Sequence, residues 1–338
     1  MRRSPERSQR GPASALSFED KKPVAETSIV VPTPGGGFLR CTVASVVAQT
    51  VSNWELVIVD DGSTDGTAEI AATLAADDAR IRIVTQKQAG IANARNRGLS
   101  EISPGSAYVA LLDHDDLWMP DTLELLRAAL TARPAASGAH GVATSIDAEG
   151  HPLRFVDRVG LPDRLGMIEG RVCPWPLDRP TEFANFAYDD CVTSVGSGLI
   201  RRTVLDRMGG FDERAEPADD YDLWVRLSRH GEIVFINRIV LAYRVHEGQR
   251  SLRTAPRRGH GIAYVRHKLV TSPENTPGQR RVAIEGFRAH QRKQLRERWS
   301  NLVASCQRGE CRAAPRQVGA LVAWLVAYAR GRPSLSQR

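Results

Sequence analysis

Residues 54–67 read WELVIVDDGSTDGT: an apolar, partly β-branched run, Leu56–Val59, stops at two carboxylates and a string of turn residues. A short apolar run bounded by turn signals is the pattern of a buried strand. Upstream, Ile29–Val31 gives another strand and Leu39–Ala48 a helix behind it. Downstream, Gly66–Leu74 and Ile91–Leu99 read as helices, and Ile81–Val84 and Tyr108–Leu112 as strands. Pro120 then opens an amphipathic helix carrying Leu123, Leu126 and Leu130. This alternation predicts an α/β fold with a doubly wound, mostly parallel sheet and flanking helices. The stretch 134–192 is rich in Pro and Gly and is less regular.

The fourth strand ends like the second. Residues 111–116 read LLDHDD, so Asp113, Asp115 and Asp116 fall just past a strand's carboxyl end, where open α/β sheets bind ligands. Carboxylates gathered there repel one another unless a cation neutralises them. Hard oxygen ligands suit Mg²⁺ or Mn²⁺, which usually bridge one or two protein carboxylates to substrate phosphates. The pattern therefore points to chemistry on a nucleoside diphosphate. His114 is out of step with its acidic neighbours and is not read as a ligand.

Other ligand loops fit less well. A calcium loop starting at Asp61 requires an acid at its twelfth position, where Ala72 stands. Gly35-Gly36-Gly37 lacks the third glycine of a dinucleotide fingerprint, with Arg40 in its place, and no Gly-Lys-Ser/Thr loop exists. Asp65 suits a helix cap, leaving Asp60 or Asp61 to face a ligand.

The 338 residues, 42% hydrophobic and 25% charged, suffice for a large core. The net charge of +7 is unevenly spread: residues 27–249 hold 21 basic and 31 acidic side chains, residues 250–338 hold 19 and 4. An acidic body with a basic extension and no readout motif argues against nucleic acid as partner. Five widely spaced cysteines suit reduced thiols. With no secretory signal and no spanning helix in the pattern, a cytoplasmic location is expected. Residues 1–26 read as a disordered basic tail, 27–250 as the catalytic domain and 251–338 as a basic helical extension. Within the extension, Val318–Ala329 is apolar and flanked by arginines. It suits packing on the core or on a second subunit in a homodimer. The alternative is a peripheral membrane helix at the inner face.

Eight motifs in order carry a resemblance. Thr27–Pro34 (TSIVVPTP), Ser45–Thr50 (SVVAQT), Trp54–Thr67, Ala92–Gly98 (ANARNRG) and Leu111–Asp116 are followed by Gly209–Asp212 (GGFD), Asp219–Trp224 (DDYDLW) and Tyr243–His246 (YRVH). The series resembles family 2 glycosyltransferases of the GT-A fold, over roughly residues 27–250. Where the family has tyrosine-asparagine after the first Pro-Thr, this chain has Pro34-Gly35. The resemblance implies an inverting, metal-dependent, non-processive transfer from a nucleotide-diphosphate sugar, a UDP-sugar first among donors, to an acceptor the sequence does not name. It implies that Pro32, Thr33, Asp60, Asp61, Asp113 and Asp116 contact the donor, with Asp60 at the base. Asp115 would ligate Mn²⁺ or Mg²⁺, joined by Asp113 and His246. Asp220 would be the catalytic base. Arg95 reads either as a contact to the donor's diphosphate or base, or as a surface helix arginine. Trp224 reads as core. Two rivals stand beside this: a nucleotidyltransferase acting on sugar phosphates, and a non-catalytic sugar-nucleotide-binding protein.

Overall fold

The computed structural model describes residues 25–153 and 164–307. Val318–Ala329 and nearly all of the N-terminal tail lie outside the described residues.

The first half builds as the alternation predicts. Strand β1 (Thr27–Thr33) leads to α1 (Leu39–Val47), β2 (Trp54–Asp61) to α2 (Thr67–Asp77), and β3 (Ile81–Gln86) to α3 (Ile91–Glu101). Then come β4 (Tyr108–Leu111), the two-residue β5 (Leu117–Trp118) and α4 (Thr122–Ala132). β1 pairs in parallel with both β2 and β4, and β2 with β3. Every residue of β1 and β2 is buried, which explains why both read as unbroken apolar runs rather than alternating ones. Helix α3 lies close against these strands. A Cβ added at Gly98 would sit 2.2 Å from a Val30 methyl.

The second half departs from a purely parallel winding. β6 (Gly138–Ile146) is followed by the hairpin β7 (Leu165–Ile168) and β8 (Arg171–Pro174), the short helix α5 (Phe183–Tyr188), β9 (Gly198–Arg201), α6 (Arg202–Met208), α7 (Asp219–Leu227) and β10 (Ile233–Arg244). The main sheet has eight strands in the order β3-β2-β1-β4-β9-β6-β10-β5. β9 runs antiparallel to both β4 and β6, and β5 antiparallel to β10, while β6 and β10 are parallel. The sheet is therefore mixed. β9 has only four residues, beginning at Gly198, too short for a periodic signal. β6 and β9 both lie where glycine and polar residues hid the pattern.

Two apolar layers hold the sheet. One packs α1 and α4 on one face through Leu39, Val43, Leu123, Leu126 and Leu130. The other packs α3, α5 and α7 on the opposite face through Ala94, Phe186, Tyr221, Leu223 and Trp224. Trp224 is fully buried, as its place on the α7 apolar stripe predicts. Two long helices follow, α8 (Arg250–Thr271) and α9 (Pro277–Gln307), and Val265, Leu269 and Ala283 join the second layer. Among the described residues no helix is long and apolar enough to cross a membrane.

Candidate active site

The carboxyl ends of β1, β2 and β4 open into a cavity of about 800 Å³, a size that suits a nucleotide-sized ligand. Pro32 and Thr33, at the end of β1, line it together with the glycine segment 35–37. The backbone N–H of Gly36 donates to Asp65 at 3.0 Å, and Asp65 also accepts from the Thr67 amide and hydroxyl at the start of α2. Asp65 thus serves the helix start and holds the glycine loop at once. These contacts, led by the Thr67 hydroxyl, keep its carboxyl below the usual range.

The two acids that end β2 diverge. Asp61 lines the cavity and accepts from the amides of Ala89 and Gly90 at 2.8 and 3.1 Å and from Gln86 at 2.8 Å. Asp60 is buried away from the cavity lining, and its carboxylate accepts from the Ser63 amide at 2.9 Å. Gly62 makes this turn possible. Its φ is +73°, and a Cβ there would stand 2.7 Å from the Gln88 backbone nitrogen.

The loop after β4 is clamped from two sides. The Thr42 hydroxyl donates to the carbonyls of His114 and Asp116 at 2.7 and 2.9 Å. Arg244, at the end of β10, donates its backbone N–H to the Asp116 carboxylate at 2.9 Å and its Nε to the Asp115 carbonyl at 2.8 Å. Asp116 is buried, accepts also from Ser194, and stays outside the cavity lining. Burial first, then the charges of Asp115 and Asp113, push its carboxyl well above the ordinary range. It orients the loop rather than facing the cavity. Asp113, His114 and Asp115 do face it. His246 lies beside Asp115, with Nε2 3.0 Å from the carboxylate and its ring edge-on to Phe38.

Arg95 is no surface helix arginine, and it lines the cavity. It is 2% exposed and bridges two acids from distant parts of the chain: Asp113 at 2.7 Å and Asp219 at 2.5 Å. The attraction of these carboxylates overrides burial and holds the guanidinium firmly protonated. Asp219, fully buried, also meets Arg250 at 3.0 Å. Burial alone would raise its carboxyl; Arg95 and Arg250 bring it below the ordinary value.

Asp220 follows Asp219 by one residue and turns into the cavity. Its carboxylate accepts from the Tyr221 amide at 2.8 Å. Burial, then the charge of Asp219, raises it. Asp190, from the irregular stretch after α5, lines the same cavity, and burial followed by the charge of Asp220 pushes it well up. Sequence reasoning missed Asp190, Glu216 and three arginines of α8, Arg250, Arg253 and Arg258, all in the lining. None of them ends an apolar run.

Comparison with known proteins fits this geometry. The model for "Glycosyl transferase family 2" matches residues 28–209. The chain belongs to glycosyltransferase family 2. Relatives include the uncharacterized protein y4gI of Sinorhizobium fredii, 41% identical over 202 residues, covering 59% of this chain and 20% of that protein. The chondroitin synthase of Pasteurella multocida is 27% identical over 228 residues, covering 67% of this chain and 21% of that protein. The chain thus spans only about a fifth of the length of either relative. Among solved structures, S. aureus TarS 1–349 in complex with UDP-GlcNAc superposes with a TM-score of 0.59 at 14% identity, over 91% of this chain and 92% of that one. The mannosyltransferase PcManGT from Pyrobaculum calidifontis, in complex with GDP-Man and Mn²⁺, gives 0.59 at 18%, over 90% and 87%. The family 2 chain therefore has the GT-A fold.

Proposed function

We propose that this chain is a metal-dependent, inverting glycosyltransferase that moves a sugar from a nucleotide-diphosphate sugar to an acceptor hydroxyl. Residues 27–250 would form its catalytic unit. One observation carries the reading: Arg95 neutralises Asp113 and Asp219 and leaves the acid two residues after one and the acid next to the other, Asp115 and Asp220, facing a single cavity. Family membership and the nucleotide-sugar complexes of similar folds support it, and a UDP-sugar is the first donor to try.

The donor set around Asp115 fits a divalent cation. A hard carboxylate with an imidazole beside it provides two ligands, and Mg²⁺ or Mn²⁺ ordinarily completes its shell with substrate phosphates and water. Asp113 is a poorer ligand, because one of its oxygens is taken by Arg95. Among the described residues no three acids, histidines or cysteines converge on one point, so the phosphates would supply the remainder. Once bound, such an ion supplies Lewis-acid stabilisation of charge on the departing diphosphate.

Asp220 takes the acceptor's proton as its oxygen attacks the anomeric carbon. The bond from that carbon to the diphosphate breaks on the opposite face, so single displacement inverts the centre. A carboxyl raised by burial is a better proton acceptor than an ordinary one. Asp61, Pro32, Thr33 and the glycine loop line the cavity at the carboxyl ends of β1 and β2, the side assigned to the nucleoside. Asp60, turned onto Ser63, supports that wall through the turn.

The test is hydrolysis of UDP- and GDP-sugars without acceptor, with and without Mn²⁺. The expected product is the nucleoside diphosphate. Pyrophosphate formed instead from UTP or GTP and a sugar 1-phosphate would favour a nucleotidyltransferase, and no turnover with any substrate would favour a binding protein. Asp115→Ala should abolish the metal-dependent part. Its loss of metal affinity should exceed the roughly 10–100-fold seen when a mere supporting partner of a ligand is removed.

A further inference from the structure

Helix α8 runs along the cavity with an arginine face turned toward it. Arg250, Arg253, Thr254, Arg258 and Ile262 all line the cavity, and their spacing of three to four residues places them on one side of a helix. The three arginines are not equivalent. Arg250 is neutralised by Asp219 at 3.0 Å and Glu216 at 3.6 Å. Arg253 and Arg258 are exposed, and no acid among the described residues pairs with either within ion-pair distance.

Their place along the helix is fixed by packing. At Gly261 the helix presses against the segment before α7: a Cβ there would meet the Ala215 carbonyl at 2.8 Å and the Ala218 nitrogen at 3.1 Å. Arg258 stands one turn back from that contact and about 12 Å along the axis from Arg250. It therefore sits near α7 and Asp190, whose carboxyl feels its charge. His246 and Asp115, where a donor's diphosphate is expected, line the same cavity beside β4 and β10. Arg258 thus lies on the Asp190 and Asp220 side of the cavity, and Arg253 lines it on the same helix face between Arg258 and Arg250.

Resting on the glycosyltransferase reading above, we propose that the acceptor is anionic and that Arg253 and Arg258 bind its carboxylate or phosphoryl group while Asp220 receives the proton of a neighbouring hydroxyl. Guanidinium forks match both groups through paired N–H donors. Such an anion would replace the missing partners of both side chains. It would also position the hydroxyl relative to Asp220. A uronic acid and a sugar- or polyol-phosphate present the same chemistry, and the experiment separates them.

Transfer is measured from a donor that the enzyme hydrolyses, to three acceptor sets: neutral oligosaccharides, oligosaccharides ending in a uronic acid, and polyol-phosphate oligomers. One anionic set should be preferred, with a KM that rises with added salt. Arg258→Ala and Arg253→Ala should each raise that KM by about tenfold, with kcat changed far less, and Arg258→Lys should recover part of the loss. Affinity for UDP, read by calorimetry on the same variants, should move less than about twofold, by the same rim-charge reasoning. Preference for neutral acceptors, or a KM indifferent to both substitutions, would overturn the proposal. So would a loss of UDP affinity matching the loss in transfer, which would assign these arginines to the donor diphosphate. Failure of donor hydrolysis in the wild-type protein would instead overturn the glycosyltransferase reading itself, so the two failures are distinct.

Discussion

The acidic loop after β4 and the first turn of α7 carry the same kind of residue in opposite settings. Each offers a pair of carboxylates to the cavity region, and in each Arg95 takes one member, Asp113 or Asp219. The remaining acids differ in company. Asp115 sits on a loop strung between Thr42 and Arg244 and has an imidazole at 3.0 Å. Asp220 sits on a packed helix whose next residues, Tyr221, Leu223 and Trp224, are core, and its carboxylate accepts from the Tyr221 amide. On the proposed function, one environment would share a cation and the other would take a proton. Two carboxylates in one cavity can hold separate roles because their surroundings, not their chemistry, differ.

The sharpest way to break this comparison is Asp220→Asn. The amide keeps the shape but cannot accept a proton, so kcat for transfer should fall by about 10²–10⁴ while donor and metal affinity persist. Turnover paired with calorimetry checks this. Wild-type-like transfer would move the base elsewhere in the cavity, with Asp190 the first to examine.

Removing the shared arginine should be felt in stability rather than chemistry alone. Arg95→Met leaves Asp219 buried beside Arg250 only and Asp113 unpaired. Loss of one partner of a buried ion pair typically costs about 3–5 kcal/mol. Urea unfolding of Arg95→Met should show a loss of this order. The double variant Arg95→Met with Asp219→Asn should recover part of it, because no buried charge is then orphaned. Equal loss in the single and double variants would mean that the bridge contributes packing and not charge compensation.

A smaller effect is expected from pH, with opposite signs for neighbouring residues. Asp220 is raised, so activity should fall, on acidification, at a higher pH than an ordinary aspartate near 3.9 would give. Asp219 is lowered by Arg95 and Arg250 against its burial. The stability it contributes is present above the unfolded-state value and is lost as pH falls through the lower folded value. The acidic limb of kcat/KM and the acid-unfolding midpoint should therefore separate, with activity lost first. Coincident limbs would show that activity follows unfolding and carries no information on the base.

The sequence by itself determined the half of the fold built on β1, β2 and β4. Buried parallel strands must be continuous apolar runs, and their ends must be marked by turn residues. The run at Leu56–Val59, the run closing at Leu112, and the acids that follow each were therefore legible without coordinates. The apolar stripe of α7 likewise placed Trp224 in the core. Only the tertiary structure decided the rest, because those facts depend on side chains far apart in the chain. Arg95 meets Asp219 across 124 positions, and Arg244 meets Asp116 across 128. Asp60 and Asp61 are adjacent in sequence, yet a left-handed glycine turn sends one to Ser63 and the other to the cavity. β9 runs antiparallel to the strands on either side, and its four residues are too few to show that in the sequence. The arginines of α8 were legible only as part of a basic helical extension. Packing of Gly261 against Ala215 and Ala218 is what brings that face to the cavity.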